Sequence, residues 1–341
     1  MFKTAKTRVL LRSDRAGWAL NDDQRMLRET LASCTNLVFQ RSGFVPADFC
    51  FFLDRYKALS GPALSPRFHR NAGLNFFHGL PGSDPFLDHM FELMRAKGHL
   101  FGAIRVSHRA MAEALSGSGM EQKVKLIRIP VDTGIFRQRK LEDYEAARNE
   151  LGISPESVVV GSFQKDGEGW GAGNQPKFVK GPDFFLEVMN SVHRVLGARL
   201  VVLLSGPSRG FVAEGLRKLG VPYIHSVAPN TRAMLPLYDA LDVYFVPSRD
   251  EGGPKAVLES MAVGVPVVST PVGQAKDLIA ENENGWITNF NSREAAEKIL
   301  HACSGSFATH VVAAARRTAE QHSHLKQKDE WLDFFNTKPQ T

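Results

Sequence analysis

The stretch DVYFVPSRDEGGPKAVLESMAVGVPVVSTPVG, residues 242–273, carries the clearest structural signals in the chain. Its apolar run Val243–Val246 is typical of a buried strand. A polar loop with two glycines follows, and Pro254 suits the first turn of a helix, where its missing N–H is not needed. An apolar stripe then leads to Gly264, which favours the end of that helix. A second apolar run, 265–269, completes a predicted strand–loop–helix–strand unit.

Two carboxylates lie within this unit, Glu251 in the loop and Glu259 in the helix. The N–H groups of Gly252, Gly253 and Lys255 lie between them, at a predicted helix N-terminus that attracts phosphate. A sugar nucleotide needs donors for its diphosphate and acceptors for its hydroxyls. The pattern therefore predicts a sugar-nucleotide site at the carboxyl end of a parallel strand, where open α/β sheets bind ligands. The alternative is an ordinary Rossmann-type unit with two surface glutamates.

The same stretch resembles the donor-site motif of retaining glycosyltransferases of family 4, the glycosyl transferases group 1, which have the GT-B fold. The shared parts are PS-x-x-E, a second Glu eight residues later, ESMA-x-G-x-PVV, and a Val-Gly pair near the end. The resemblance implies an α/β chain of two Rossmann-like domains facing across a cleft, with a C-terminal helix that crosses back to the N-terminal domain. It also implies that Glu251 contacts the donor sugar and Glu259 the ribose.

The chain has 341 residues, enough for two α/β domains. We predict an N-terminal acceptor-side domain over 1–145, a donor-binding domain over 146–320, and a crossover helix with its tail over 321–341. The charged run 137–153 predicts a helix that links the first two domains. No apolar run approaches the eighteen or so residues that span a bilayer. The three cysteines form no CxxC pair and fit reduced cytosolic thiols, so we expect a cytoplasmic protein; they are Cys34, Cys50 and Cys303.

Positive charge is concentrated in the first half of the chain. Residues 1–150 contain 23 Lys and Arg against 16 Asp and Glu, whereas residues 151–341 contain 19 against 20. A basic N-terminal half suits an anionic membrane face or a lipid-linked pyrophosphate acceptor, and peripheral association with the inner membrane face follows from that. A solvated basic surface explains the charge equally well. Nucleic acid is not expected, because no recognition motif with interleaved aromatic residues is present.

Further donor-site residues follow from the resemblance. Lys180-Gly181 matches the family's Lys-Gly element that grips the diphosphate, and Lys165 is the nearest candidate for its partner cation. Cations at the diphosphate stabilise the leaving group as its charge develops. Gly206 lies in the turn that the family places beside the nucleotide. The inserted loop 164–179 is long for such a domain, which suggests a lid or a substrate contact; the alternative is a disordered surface insert.

Three candidates lie in the N-terminal half. Gly17 and Trp18 fall in the predicted first-strand loop 13–22, on the acceptor side, and Trp18 suits stacking on a sugar or packing within the loop. His78 follows a predicted strand, where the family often carries a His near the reacting sugar; a structural His is the alternative. No Asp-x-Asp motif is present, so we expect neither a metal nor another cofactor.

The predicted function is retaining transfer of a sugar from a nucleotide diphosphate sugar to a hydroxyl of a saccharide or lipid-linked acceptor, in cell-surface polysaccharide or glycolipid assembly. Glu251, Lys180 and His78 are the predicted catalytic residues. Two alternatives remain open. A sugar-nucleotide epimerase or hydrolase would turn over the donor without an acceptor, and a non-catalytic binding protein would bind the donor without turnover.

Overall fold

The computed structural model describes residues 6–13, 18–40, 46–60, 71–77, 79–304 and 308–336. The chain divides into two compact units. The first contains Met1–Ile129 together with His324–Thr341, and the second contains Pro130–Ser323. Each unit is built on one six-stranded sheet whose described strand pairs are all parallel. The predicted α/β class is therefore confirmed.

The first unit has the strand order β2-β1-β3-β4-β5-β6. Its central strands are buried on both faces, as expected for a parallel sheet covered by helices, which explains near-continuous apolar runs such as FCFF. Its elements before the crossing are β1 Thr7–Arg12, α1 Trp18–Thr30, β2 Leu37–Gln40, β3 Phe49–Phe52, α2 Arg55–Ser60, β4 Ala72–Asn75, α3 Pro85–Lys97, β5 Ala103–Val106, α4 Arg109–Ala114 and β6 Val124–Leu126.

The second unit has the strand order β12-β11-β10-β7-β8-β9. Two apolar clusters fill the space between this sheet and the helices that cover it. Its elements are α5 Leu141–Glu150, β7 Val158–Ser162, α6 Pro182–Leu196, β8 Leu200–Leu204, α7 Gly210–Leu219, β9 Tyr223–His225, α8 Leu235–Asp239, β10 Val243–Val246, α9 Lys255–Val263, β11 Val267–Ser269, α10 Ala275–Leu278, β12 Trp286–Ile287, α11 Ser292–Ala302 and α12 Ala308–Gln321.

The last helix, α13 (Lys328–Phe335), returns to the first unit. The Phe334 ring is completely buried and lies 5.1 Å from the Phe51 ring, edge to face. Gly73 on β4 leaves the space for it, because a Cβ there would lie 2.8 Å from the Phe334 ring. Aromatic pairs of this kind add to the burial of apolar area. The predicted crossing of the C-terminal helix is therefore confirmed.

Three sequence predictions differ from the structure. The first crossing between units falls between Ile129 and Pro130, ahead of the predicted boundary at 145. The charged segment before residue 151, which we expected to link the domains, is α5 of the second unit; its Arg148 is buried and paired with Asp242 at the foot of β10. The predicted loop 13–22 becomes helical at Trp18. Charge alone did not reveal that α5 packs through its arginine.

Candidate functional site

The predicted donor loop lies at the point where the order of the second sheet reverses. Strands β7 and β10 are neighbours, although about eighty residues of chain lie between them; Val243 pairs with Val160. From this point the chain proceeds outward on one side through β8 and β9, and on the other through β11 and β12. Loops that leave the carboxyl ends of two such strands diverge and open a crevice. The loops after β7 and β10 carry the candidate residues.

The loop after β10 is held by close backbone packing. Gly273 has φ +48°, and a Cβ on it would lie 2.5 Å from the carbonyl oxygen of Glu251 and 2.9 Å from the nitrogen of Gly253. Only glycine therefore allows the segment after β11 to approach the loop so closely. The helix α9 begins at Lys255, with Pro254 as its N-cap, and ends at Gly264, which adopts the left-handed conformation. The predicted glycine end of this helix is confirmed.

The structure brings Lys180 and Glu251 together. Lys180 Nζ lies 2.6 Å from Glu251 Oε1, and both side chains are largely buried but keep some exposure, 24% and 13%. The Ser248 hydroxyl donates to the same oxygen at 3.1 Å, and it lies 3.2 Å from Gln164 Oε1. The Gln164 amide donates in turn to the Lys180 carbonyl at 2.9 Å. A cation and a carboxylate are thus fixed side by side between the two loops.

The backbone turn at Gly181 sets the position of Lys180. Gly181 has φ +64°, and a Cβ there would lie 2.0 Å from the Pro247 carbonyl oxygen, so only glycine fits. The Arg249 N–H donates to the Val179 carbonyl at 2.9 Å, and the Arg249 guanidinium makes two 2.7 Å hydrogen bonds to Asp183 at the start of α6. The Lys-Gly element is therefore fastened to the loop after β10 by main-chain and bidentate contacts.

Glu259 lies on α9 and receives a hydrogen bond from a buried tyrosine. The Tyr238 hydroxyl donates to Glu259 Oε2 at 2.7 Å, and the Tyr238 ring is completely buried. Burial and the neighbouring carboxylate raise the pKa of Tyr238 well above its ordinary value. The hydroxyl therefore remains a hydrogen-bond donor across the physiological pH range. Tyr238 also packs against Phe163 at the end of β7, with ring centroids 4.9 Å apart.

Gly206 lies in the turn after β8, next to the loop after β7. It has φ +93°, and a Cβ on it would lie 3.5 Å from the Gln164 carbonyl oxygen and 3.8 Å from the Lys165 nitrogen. The His225 ring nitrogen Nε2 donates to the Gly206 carbonyl at 2.8 Å. Three turns at the carboxyl edge of β10, β7 and β8 thus adjoin one another, and they contain most of the predicted donor-side residues; Lys255 and Glu259 lie on α9.

The remaining predicted residues have different outcomes. Gly252 is buried and Gly253 is partly exposed in the loop before α9, so both lie at the helix start as predicted. Gly17 and His78 lie outside the described residues. Trp18 is the first residue of α1, which replaces the expected loop, and its side chain is also outside the description.

Sequence reasoning missed three side chains of this site: Gln164, Ser248 and Tyr238. Ser248 stands within the quoted motif, and Gln164 directly follows an apolar strand, so both positions carried a local signal. No local sequence signal marked Tyr238, because its hydrogen bond to Glu259 depends on how α8 packs against α9.

Comparison with known proteins gives the class of fold first. The solved structure of HepE from Anabaena, in complex with UDP, matches with a TM-score of 0.74 at 16% sequence identity, over 96% of this chain and 99% of that chain. The two units, each with a parallel six-stranded sheet, together with this match define the GT-B fold. Among the described residues, no helix is both long enough and apolar enough to cross a membrane.

Residues 171–304 match the family model of glycosyl transferases group 1. A D-inositol 3-phosphate glycosyltransferase of Segniliparus rotundus is 32% identical over 175 residues, 49% of this chain and 36% of that protein. A lipopolysaccharide core biosynthesis mannosyltransferase of Rhizobium meliloti is 31% identical over 154 residues, 42% of this chain and 41% of that protein. The chain thus spans about two fifths of the length of these curated relatives. The similarity to glycosyl transferases group 1 therefore concerns residues 171–304, within the second unit.

Proposed function

We propose that the protein transfers a glycosyl group from a nucleoside diphosphate sugar to a hydroxyl acceptor, with retention of configuration at the sugar. The observation that carries this proposal is the Lys180–Glu251 pair at the switch point of the second sheet, 2.6 Å apart. One partner offers donors to a diphosphate, and the other offers acceptors to sugar hydroxyls. The neighbouring Glu259, oriented by Tyr238, suits the two hydroxyls of a ribose.

The reaction assigned to this site needs no strong nucleophile from the protein. The bond from the anomeric carbon to the diphosphate oxygen breaks, and a bond to the acceptor oxygen forms on the same face of the sugar. The acceptor's proton passes to the leaving diphosphate. Lys180 stabilises the negative charge that develops on that group, and Glu251 orients the sugar hydroxyls. We propose that the transfer requires no metal ion.

The acceptor side of the proposal rests on the relatives and on charge. One of the relatives named above is a mannosyltransferase of lipopolysaccharide core biosynthesis, which suggests polysaccharide or glycolipid assembly for this chain as well. Residues 1–150 of this chain have a surplus of positive charge, which suits an acceptor with phosphate or pyrophosphate groups. We therefore propose a saccharide or lipid-linked acceptor, in polysaccharide or glycolipid assembly.

Calorimetric titration of the protein with UDP-, GDP-, ADP- and dTDP-sugars tests the donor site. We expect one nucleotide class to bind, Glu259→Ala to abolish that binding, and Lys180→Met to weaken binding of the diphosphate but not of the nucleoside. Glu297→Ala is the matched control, because Glu297 is an exposed glutamate on α11. It should bind the donor like the wild type.

Turnover then separates the proposal from its alternatives. With an acceptor, NMR of the product should show the donor's anomeric configuration, and activity should persist in EDTA. Equal binding by wild type and Glu259→Ala would remove the donor-site assignment. Donor consumption without any acceptor would indicate a hydrolase or an epimerase, and donor binding without turnover in any acceptor extract would indicate a binding protein.

A further inference from the structure

The segment inserted after β7 is an ordered hairpin fixed to the neighbouring turn. Gly167 and Pro176 form an antiparallel bridge, and the Glu168 N–H donates to the Gln175 carbonyl at 2.8 Å. The Ser208 hydroxyl lies 3.2 Å and 2.9 Å from the carbonyl oxygens of Gly169 and Gly171. These contacts on both sides of the main chain favour an ordered segment over the alternative of a disordered insert.

Two further contacts fix the hairpin to the turn after β8. The N–H groups of Gly210 and Phe211 donate to the carbonyls of Ala172 and Gly173, at 2.8 and 2.9 Å. A Cβ on Gly173 would lie 2.2 Å from the Ser208 backbone, so the two segments are in direct contact. The hairpin is therefore packed against the turn after β8 through its main chain.

The base of the hairpin is anchored by a buried ion pair. Arg209 Nη2 lies 3.0 Å from Asp166 Oδ2, and both side chains are almost completely buried. Arg209 also donates to the Ser162 and Ser205 carbonyls at the ends of β7 and β8. Separating such a pair would leave an uncompensated buried charge, which is strongly unfavourable. The ion pair therefore keeps Asp166 in place. Lys165 immediately precedes Asp166, so its backbone lies next to this ion pair.

The hairpin presents Trp170 to Lys165. Lys165 Nζ lies 4.1 Å from the centre of the Trp170 ring, within the range of a cation–π contact. The Trp170 side chain is 76% exposed, so it contributes little to the apolar core. Desolvation, followed by the nearby Lys177, lowers the pKa of Lys165. Lys165 directly follows Gln164, whose amide binds the Lys180 carbonyl.

We propose that Trp170 is a positioning residue for the diphosphate: the inserted hairpin holds its ring beneath the Lys165 ammonium and keeps that cation at the edge of the donor site. The inference rests on the proposed function, since it assigns a role to the insertion within that donor site. An ammonium backed by an aromatic face on one side still has N–H donors for phosphate oxygens on the other. Restricting a flexible lysine in advance lowers the entropy lost on binding.

A thermodynamic cycle with Trp170→Ala, Lys165→Met and the double variant tests the inference. UDP and uridine serve as ligands, because only UDP carries the phosphates. Ordering a side chain costs about 0.5–1.5 kcal/mol of binding free energy, so Trp170→Ala should weaken UDP binding about two- to tenfold. Uridine binding should not change. Trp170→Phe retains an aromatic face and should restore most of the UDP affinity.

The double variant decides whether Trp170 acts through Lys165. In the Lys165→Met background, Trp170→Ala should cause no further loss, because the cation that it positions is gone. A loss that persists there, or that appears equally with uridine, would mean that Trp170 stacks on the base, and the inference would be wrong. Unchanged or tighter UDP binding by Trp170→Ala would also overturn it.

The same titrations separate this inference from the proposed function. If wild type binds UDP in a Glu259-dependent manner and Trp170→Ala has no effect, only the role of the hairpin fails. If wild type binds no nucleotide at all, both proposals fail. Thermal melting of each variant checks the fold, and the 76% exposure of Trp170 predicts little change in Tm.

Discussion

Replacing Tyr238 by Phe isolates one hydrogen bond of the candidate site. The substitution removes only the hydroxyl that donates to Glu259 Oε2 at 2.7 Å and leaves the buried ring in place. The ring contacts with Phe163 and Phe136, at 4.9 and 5.6 Å, are retained. No cavity larger than an oxygen atom is created, so the effect reports the hydrogen bond rather than lost packing.

The size of the effect follows from the charge of the acceptor. A hydrogen bond to a charged group contributes about 1.5–3 kcal/mol. Glu259 is partly exposed, so water replaces part of the lost bond, and we expect the free energy of unfolding to fall by about 1.5 kcal/mol. Without this hydrogen bond, the Glu259 side chain becomes ordered only when the donor binds. That ordering costs about 0.5–1.5 kcal/mol of binding free energy per side chain. Donor affinity should therefore fall about two- to tenfold.

Tyr244→Phe is the matched control. Tyr244 is equally buried in the same aromatic group, with its ring 5.7 Å from that of Tyr238, but its hydroxyl accepts a hydrogen bond from the Phe163 N–H at 2.8 Å. Denaturant unfolding and calorimetric titration with the donor should show a stability loss in both variants. A loss of donor affinity is expected only in Tyr238→Phe.

The pattern across the two variants decides the argument. If Tyr238→Phe keeps the donor affinity of the wild type, then Tyr238 does not orient Glu259 for binding, and the proposed ribose contact loses its support. If Tyr244→Phe weakens donor binding as strongly as Tyr238→Phe, the effect comes from the aromatic group as a whole. Either result would refute the reasoning from the 2.7 Å contact.

Three further predictions concern the fold around the site. Gly181→Ala should destabilise the protein and weaken donor binding, because its Cβ would lie 2.0 Å from the Pro247 carbonyl oxygen. The control Gly220→Ala has a similar φ but lies in open space, so it should lower the stability measured by thermal melting by only about 1–2 kcal/mol. Burial raises the pKa of Asp239 to about 6 from 3.8, so its ionisation lowers the stability of the fold as the pH rises from 4 to 6. Asp239→Asn should therefore raise the free energy of unfolding by about 2–3 kcal/mol at pH 8 and leave it unchanged below pH 4. Phe334→Ala should cost about 3–5 kcal/mol in denaturant unfolding, and retention of full stability would contradict the docking of α13.

Much of the second unit was predictable because its signals are local. The apolar run at Val243–Val246 is β10, and Gly264 ends α9 in the left-handed conformation that glycine adopts without strain. Gly181 and Gly273 were also part of recognisable motifs. Strand period, helix ends and glycine positions depend on a few adjacent residues, so the sequence alone contains them.

The first unit was less predictable because fewer of its features are marked by a few adjacent residues. The helix α1 starts at Trp18, inside the predicted loop, and no proline in the sequence 13–22 marks its beginning. The end of the first unit at Ile129 is likewise not marked by a change in composition. It depends on which contacts the following segment makes, and α5 packs on the second unit through the buried Arg148.

The sequence by itself determined the strand–loop–helix–strand unit, its glycine turns, and the placing of Glu251 in the loop and Glu259 in the helix. Only the tertiary structure decided that Gln164, Lys180 and Ser248 surround Glu251, that Tyr238 holds Glu259, and that the inserted hairpin places Trp170 against Lys165. The physical reason is the parallel sheet. It aligns the carboxyl ends of strands that are far apart in the chain, and spacing along the sequence does not record which of their loops will meet.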